Sequence, residues 1–213
     1  LQQGELDQAL VGAVDLAGDP RAVLARVASS DQPQYPIGEG ACALVLKRLE
    51  DTERDGDRIY GLVNAVMSGN KAGQSRSEGL TNQLLQQTDL TQENIGLVTA
   101  SGQLPESLEA ISNKTASLCM PASRLGQSGA VSGMAAILQA TLALYQEIIP
   151  ADFDAEPPAY WLRNRADGPR RALVACSSVD GSQSQLLLEG WDGPQPAFAD
   201  DERRFPLGPC NEQ

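Results

Sequence analysis

Leu125-Gly126-Gln127-Ser128-Gly129-Ala130-Val131-Ser132-Gly133-Met134-Ala135-Ala136-Ile137-Leu138-Gln139-Ala140-Thr141-Leu142-Ala143-Leu144 lies in a part of the chain with no charged residue between Arg124 and Glu147. It reads as one buried helix. Val131, Met134, Ala135, Leu138, Leu142 and Tyr145 follow the i, i+3, i+4, i+7 spacing, and Ala130, Ile137 and Leu144 make the opposite side apolar as well. Such a helix needs cover on both faces. Gly129 and Gly133 each cost about 1 kcal/mol relative to Ala inside a helix, so their presence predicts close approach of another backbone. Pro150 marks the expected stop. A membrane span is the rival reading, and Gln127, Ser128, Ser132, Gln139, Thr141 and Gln146 make the stretch too polar for it.

The totals narrow the possibilities further. At 213 residues with 41% hydrophobic side chains, the chain can build one sizeable domain or part of a larger one. A net charge of -12 disfavours nucleic acid and anionic membranes as partners, since both repel an acidic chain. Cys42, Cys119, Cys176 and Cys210 lie far apart without CxxC spacing, and the first three sit among Ala, Leu and Val. They read as buried thiols of a reducing cytoplasm, the expected location in the absence of a leader-like or spanning segment. The chain contains no histidine, so Ser-His-Asp, Cys-His and His-metal chemistry are excluded within it.

Taken in order, Leu1 to Gly4 reads as the last turn of a helix whose earlier residues would precede Leu1. Asp7 to Leu16 is a β-type run, and Asp19 to Ala28 is a helix capped by Asp19 and broken by Gln32 to Pro36. Ala41 to Arg48 is a strand, followed by a charged turn or short helix ending at Gly56. From there the pattern predicts a strand at Ile59 to Met67, a polar loop at Ser68 to Ser75 and a helix at Glu78 to Thr88. A strand at Ile95 to Ala100, a helix at Pro105 to Ala116 and a strand at Ser117 to Met120 lead into the long helix. An irregular segment, Ala151 to Arg170, anchored by Tyr160 and Trp161, precedes strands at Arg171 to Val179 and Gln185 to Glu189 with an Asp180-Gly181 turn. The order from Ile59 is β-α-β-α-β-α-β-β: an α/β layer with three parallel crossovers and a closing antiparallel pair. ALVGAVD in the opening strand and ALVACSSVD near the end form a faint internal echo.

Ile37-Gly38-Glu39-Gly40-Ala41-Cys42-Ala43-Leu44-Val45-Leu46-Lys47-Arg48-Leu49 resembles the Gly-Glu-Gly-Ala-Gly run leading into Val-Leu-Lys of the β-ketoacyl synthases. Glu50 to Tyr60 is similar to that family's "LEDA…DGDRIY" continuation, Asp7 to Leu16 to its "ALAGGV" strand, and Gly126-Gln127 to its Gly-His pair before an Ala/Gly-rich helix. The resemblance implies a thiolase-like fold of two pseudo-symmetric halves. Residues 1–58 would then be the end of the N-terminal half, 59–190 a complete βαβαβαββ C-terminal half and 191–213 a linker or tail.

It also implies decarboxylative condensation by a cysteine and two histidines, and here the reactive positions are altered. The family cysteine would lie upstream of Leu1. Ser101 stands at the first histidine position and Gln127 at the second, Ala122 replaces the family lysine, and Gln103-Leu104-Pro105 replaces the Thr-Gly-Thr that contacts pantetheine. The terminal Gly-rich loop is reduced to Ser177-Ser178-Val179-Asp180-Gly181-Ser182. Serine and glutamine do not titrate near neutral pH. The resemblance therefore points to a degenerate member, similar to chain-length factors and to the ketosynthase-like domains of polyunsaturated fatty acid synthases. Such a member holds no catalytic residue, cofactor or metal of its own within an acyltransferase-class assembly.

Three roles stay open at this level: pairing with an active ketosynthase and shaping its acyl tunnel, acting as a spacer for a neighbouring acyltransferase or dehydratase, or condensing by unusual residues. The partners implied are an active ketosynthase domain or a second copy, and an acyl carrier protein whose phosphopantetheine serves the partner. Glu39, Lys47 and Asp180, the ionisable residues nearest the motifs, read as a turn carboxylate, a solvated strand end and a turn residue.

Overall fold

The computed structural model describes residues 1, 3–16, 18–21, 23–24, 35–70, 75–102, 104, 106–112, 115–151, 157–178 and 182–196. Two strands open it, β1 (Gln8–Asp15) and β2 (Gly40–Lys47), followed by α1 (Leu49–Asp55). Next come β3 (Leu62–Asn70), α2 (Ser75–Gln87), β4 (Leu97–Ser101), α3 (Glu106–Ser112), β5 (Ser117–Cys119), α4 (Ala122–Leu125) and α5 (Ala130–Gln146). The short β6 (Ile148–Ile149) and β7 (Ala159–Tyr160) precede β8 (Arg171–Ser177) and β9 (Ser182–Glu189).

The larger sheet has the order β3-β9-β8-β4-β5. β4 pairs in parallel with both β5 and β8, whereas β9 is antiparallel to β8 and to β3. β3, β4, β5 and β8 therefore run in one direction, linked by the three crossovers expected from the pattern, and β9 is the closing antiparallel strand. β4 is buried at all five positions, as a central strand covered on both faces must be. On one face Leu84 and Leu85 of α2 and Leu108 and Ile111 of α3 pack with Val98, Leu173 and Leu187. On the other, Ala136, Ala140, Ala143 and Leu144 of α5 pack with Leu97, Ala172, Val174, Leu188 and Trp161. The alanines let the helix backbone approach the sheet closely enough for the buried Thr99 hydroxyl to donate to the Ala136 carbonyl at 3.1 Å.

The rear of α5 is covered in part by the β1–β2 pair, where Gly40 meets the Val131 side chain. β1 and β2 are antiparallel, with Leu10 opposite Val45, Gly12 opposite Ala43 and Val14 opposite Ala41. They repeat the arrangement of β8 and β9, in keeping with the echo between the two sequences. Their outward face is bare: Leu10 is 76%, Val14 68% and Val45 67% exposed.

Several boundaries differ from the sequence expectation for physical reasons. The apolar stretch from Leu125 is not one helix: Gly126 (φ 75°) and Gly129 (φ 50°) take backbone conformations open mainly to glycine, so α4 ends at Leu125 and α5 starts at Ala130. Gly129 is thus the residue before the helix, not part of its interior. Glu147, left-handed at φ 57°, ends the helix before Pro150 is reached. β3 begins at Leu62 instead of Ile59, whose backbone is taken by the Gln195 side chain: the Ile59 N–H donates to Oε1 at 3.1 Å and Nε2 donates to the Ile59 carbonyl at 2.6 Å. Residues 191–196 are accordingly docked, with Arg58 donating to the Pro196 carbonyl and Arg163 paired with Asp192. Trp161 is the buried anchor of its segment, while Tyr160 is 81% exposed. Cys119 is buried, its thiol donating to the Pro150 carbonyl, but Cys42 and Cys176 are half-buried, unlike the expectation for all three. The Asp180-Gly181 turn, the break at 32–34, the end of the first helix, Cys210 and residues 197–213 lie outside the described residues.

Candidate functional site

In an open parallel sheet, ligands collect beyond the carboxyl ends of strands at the point where successive crossovers leave in opposite directions. Here that point lies between β4 and β8, because β5 flanks β4 on one side and β8 flanks it on the other. The register places Ser101, last residue of β4, opposite Cys176 of β8. Ser101 is buried near the Cys176 thiol, which donates to the Gly133 carbonyl at 3.9 Å. Burial pushes that thiol above its ordinary value of 9.0, and the nearby Ser101 hydroxyl only partly offsets the shift. The thiol is therefore protonated at neutral pH.

Gly133 of α5 closes the crevice from above. A Cβ there would stand 3.3 Å from Cys176 Sγ and 3.8 Å from Ser101 Oγ. The close approach foreseen at Gly133 is thus real, but side chains make it, not a backbone. The Ser177 hydroxyl donates to the Ser101 carbonyl at 3.3 Å, and Gly102 (φ 80°) has no room for a Cβ because Ser177 Oγ would lie 2.5 Å from it.

Gln127 sits in the α4–α5 connection with its residue exposed, and its backbone is clamped to the segment carrying the Gly-Glu-Gly run. Gln127 N–H donates to the Pro36 carbonyl at 2.7 Å, and Gly38 N–H donates to the Gln127 carbonyl at 3.1 Å. Gly38 and Gly126 cross so closely that a Cβ on Gly126 would come within 2.9 Å of both Gly38 N and the Pro36 carbonyl oxygen. The Asp15 carboxylate accepts from Ala130 N–H at 3.1 Å, which ties the end of β1 to the first turn of α5. Ala122 is buried in α4 and offers only a methyl group.

Of the ionisable residues near the motifs, Glu39 accepts from Gly18 N–H at 2.5 Å, a structural bond. Lys47 is not a solvated strand end. Its side chain is 16% exposed and paired with Asp55 at 2.5 Å and Asp57 at 2.6 Å. Those bonds raise the Lys47 pKa, and the Arg54 and Lys47 bonds lower that of Asp55 to about 2. Asp180 lies outside the described residues. Among the described residues no three His, Cys, Asp or Glu side chains gather as metal ligands, and no helix is long and apolar enough to cross a membrane.

Sequence reasoning singled out Ser101 and Gln127; the structure brings Ser101 to Cys176, which sequence reasoning missed, and leaves Gln127 exposed in the α4–α5 connection. The signal was there: Ser101 and Cys176 each stand at or beside the end of an apolar run destined for neighbouring parallel strands.

No family model matches the chain. It is 28% identical over 97% of its length to a phenolphthiocerol/phthiocerol polyketide synthase of Mycobacterium tuberculosis, covering 12% of that protein. It is 29% identical over 84% of its length to a polyunsaturated fatty acid synthase of Thraustochytrium sp., covering 10% of it. The chain thus spans about a tenth of the length of these relatives. Among solved structures, the ketosynthase from module 6 of the bacillaene synthase of Bacillus subtilis 168 superposes with a TM-score of 0.79 at 20% identity, over 90% of this chain and 44% of that one. A PfaC ketosynthase–chain length factor superposes at 0.73 with 22% identity, over 93% of this chain and 26% of that one. The fold is α/β and thiolase-like, of the kind found in ketosynthase domains. Its sequence relatives lie among the polyketide and polyunsaturated fatty acid synthases.

Proposed function

We propose that the chain is a non-catalytic ketosynthase-like domain of a fatty acid or polyketide synthase, one that pairs with an active ketosynthase and shapes its acyl tunnel. The observation that carries this reading is the chemistry of the crevice. A buried serine hydroxyl and a thiol held protonated occupy it, while Gln127 stands exposed in the α4–α5 connection, in a chain without histidine. Condensation needs a nucleophile held as its anion and groups that exchange protons near neutral pH. Neither Ser101 nor Gln127 can do this, and Cys176 is shifted the wrong way for a nucleophile. An atypical condensing enzyme built on these residues therefore has little to work with. On this reading residues 1–58 belong to an N-terminal ketosynthase-like half and 59–190 form the C-terminal half. The acyl carrier protein brings its phosphopantetheine arm to the partner, and the partner is an active ketosynthase domain or a second copy.

A spacer role is the second reading, favoured by the docking of residues 191–196 against Ile59, Arg58 and Arg163, which sets the direction in which the chain leaves the sheet.

The test is decarboxylation and condensation of malonyl-loaded carrier protein by the full-length protein, with and without its partner ketosynthase. The expected result is no turnover by this chain alone, no gain from Ser101→His combined with Gln127→His, and a changed product length when the partner is assayed with it. Turnover by the isolated protein above the uncatalysed rate overturns the reading.

A further inference from the structure

The end of the β1–β2 pair and the start of α5 are laced together by short contacts. Register sets Asp15 of β1 opposite Gly40 of β2. Asp15 accepts from Ala130 N–H at 3.1 Å, and a Cβ on Gly40 would touch the Val131 side chain at 3.4 Å. Just ahead of β2, residues 36–38 lie across the α4–α5 connection as a single rung of parallel pairing, with Ile37 beside Gln127. The Pro36 carbonyl and the Gly38 N–H bond the N–H and the carbonyl of Gln127.

Both sides of this crossing require glycine. A Cβ on Gly38 would collide with the Leu125 carbonyl oxygen, and one on Gly126 would press on the Gly38 nitrogen and the Pro36 carbonyl oxygen. These are backbone atoms, which no change of rotamer can clear. The connection passes the constraint into the helix, because the buried Ser128 donates its N–H to the buried Ser132 hydroxyl at 2.9 Å. Gly133 comes next, and its carbonyl accepts from the Cys176 thiol while its missing side chain lets α5 lie close over Cys176 and Ser101. Ala130 and Gly133 are about 4.5 Å apart along the axis, less than one helical turn. The crossing, the first turn of α5 and the crevice thus form one continuous series of contacts.

We propose that residues 36–38 act as a strap that holds the first turn of α5 down over the crevice, so that the placement of the β1–β2 pair sets how far the Cys176 thiol is open to solvent. β1 and β2 form a sheet of their own, which meets the five-stranded sheet through α5, so a shift of the pair has this route to the crevice. Coupling between separated groups runs through packed contacts, and backbone crossing backbone transmits a displacement that a pliable side chain would absorb. The inference concerns access alone and holds whether or not the crevice takes part in condensation.

Alkylation of the full-length protein with iodoacetamide, followed for each cysteine-containing peptide by mass spectrometry, tests it. Cys119, only 1% exposed, reports global opening in the same sample. Asp15→Ala removes the tie to Ala130 without adding atoms, and Gly38→Ala forces the crossing apart. Each should speed Cys176 alkylation at least fivefold and leave Cys119 as slow as in the parent. Leu108→Ala, in the core cluster on the face of the sheet away from α5, loosens the fold elsewhere and should leave the Cys176 rate unchanged. An unchanged Cys176 rate in Asp15→Ala overturns the strap, even where Gly38→Ala fails to fold. Equal acceleration of Cys119 and Cys176 overturns it too, since that is general loosening. So does a Leu108→Ala variant that speeds Cys176 as much as Asp15→Ala does.

Discussion

At Gly133 a missing side chain lets the sheet and the helix meet over the crevice. Any Cβ must share space with Cys176 Sγ at 3.3 Å, so larger residues have to push β8 and α5 apart. Gly133→Leu is expected to destabilise the protein by about 1–3 kcal/mol through overpacking, read as a lower denaturant midpoint with an unchanged slope. Gly133→Ala should fall well short of that, because a 3.3 Å contact asks its neighbour to yield only slightly. Equal midpoints for Gly133→Leu and the parent would mean that the crevice is roomier than its contacts imply. Sequence spacing singled out Gly133 as a point of close approach, since glycine inside a helix is costly unless something occupies the space of its Cβ. It did not identify Cys176 as the neighbour, because that pairing depends on β8 lying beside β4.

At the scale of elements, the junction of β2 and α1 is held by charge. Lys47 at the end of β2 bridges Asp55 and Asp57 across the turn at Gly56, and Arg48 reaches Asp7 before β1 and Asp51 in α1. The sign of the pH dependence follows from the direction of each shift. Asp55 is lowered from 3.8 to about 2, so its contribution is complete above pH 3.8 and fades as pH falls through about 2. Lys47 is raised from 10.5, so its share is complete below pH 10.5 and fades only above it. Asp55→Asn should therefore lower stability at pH 7 by more than at pH 2, as seen in urea melts at the two values. An equal effect at both would show that the ion pair contributes nothing. The charged run Glu50 to Arg58 was legible as a charged loop or short helix turning at Gly56, but which cation met which anion was not, since β2 delivers Lys47 from outside the run.

At the scale of the whole molecule, the β1–β2 pair presents an apolar outer face, with Leu10, Val14 and Val45 each at least two-thirds exposed. Such a face favours association in water. The 213-residue chain is expected to self-associate in sedimentation or light-scattering measurements, and Leu10→Lys with Val45→Glu should return it towards a monomer. A monodisperse monomer of the unaltered chain with one sharp unfolding transition would show that this face needs no cover. The sequence by itself determined the α/β class, the βαβαβαββ order and the apolar strands, because periodicity and breaker residues act within a few positions of themselves. It also determined the absence of histidine and, through the quoted motifs, drew attention to Ser101 and Gln127. Only the tertiary structure decided that Ser101 faces Cys176 across neighbouring strands, that Gln195 clamps Ile59, and that Arg165 and Trp191 line one cavity at the end of α5. Those contacts join residues 75, 136 and 26 or more positions apart, and local propensity carries no information about which distant segment the sheet order will bring alongside.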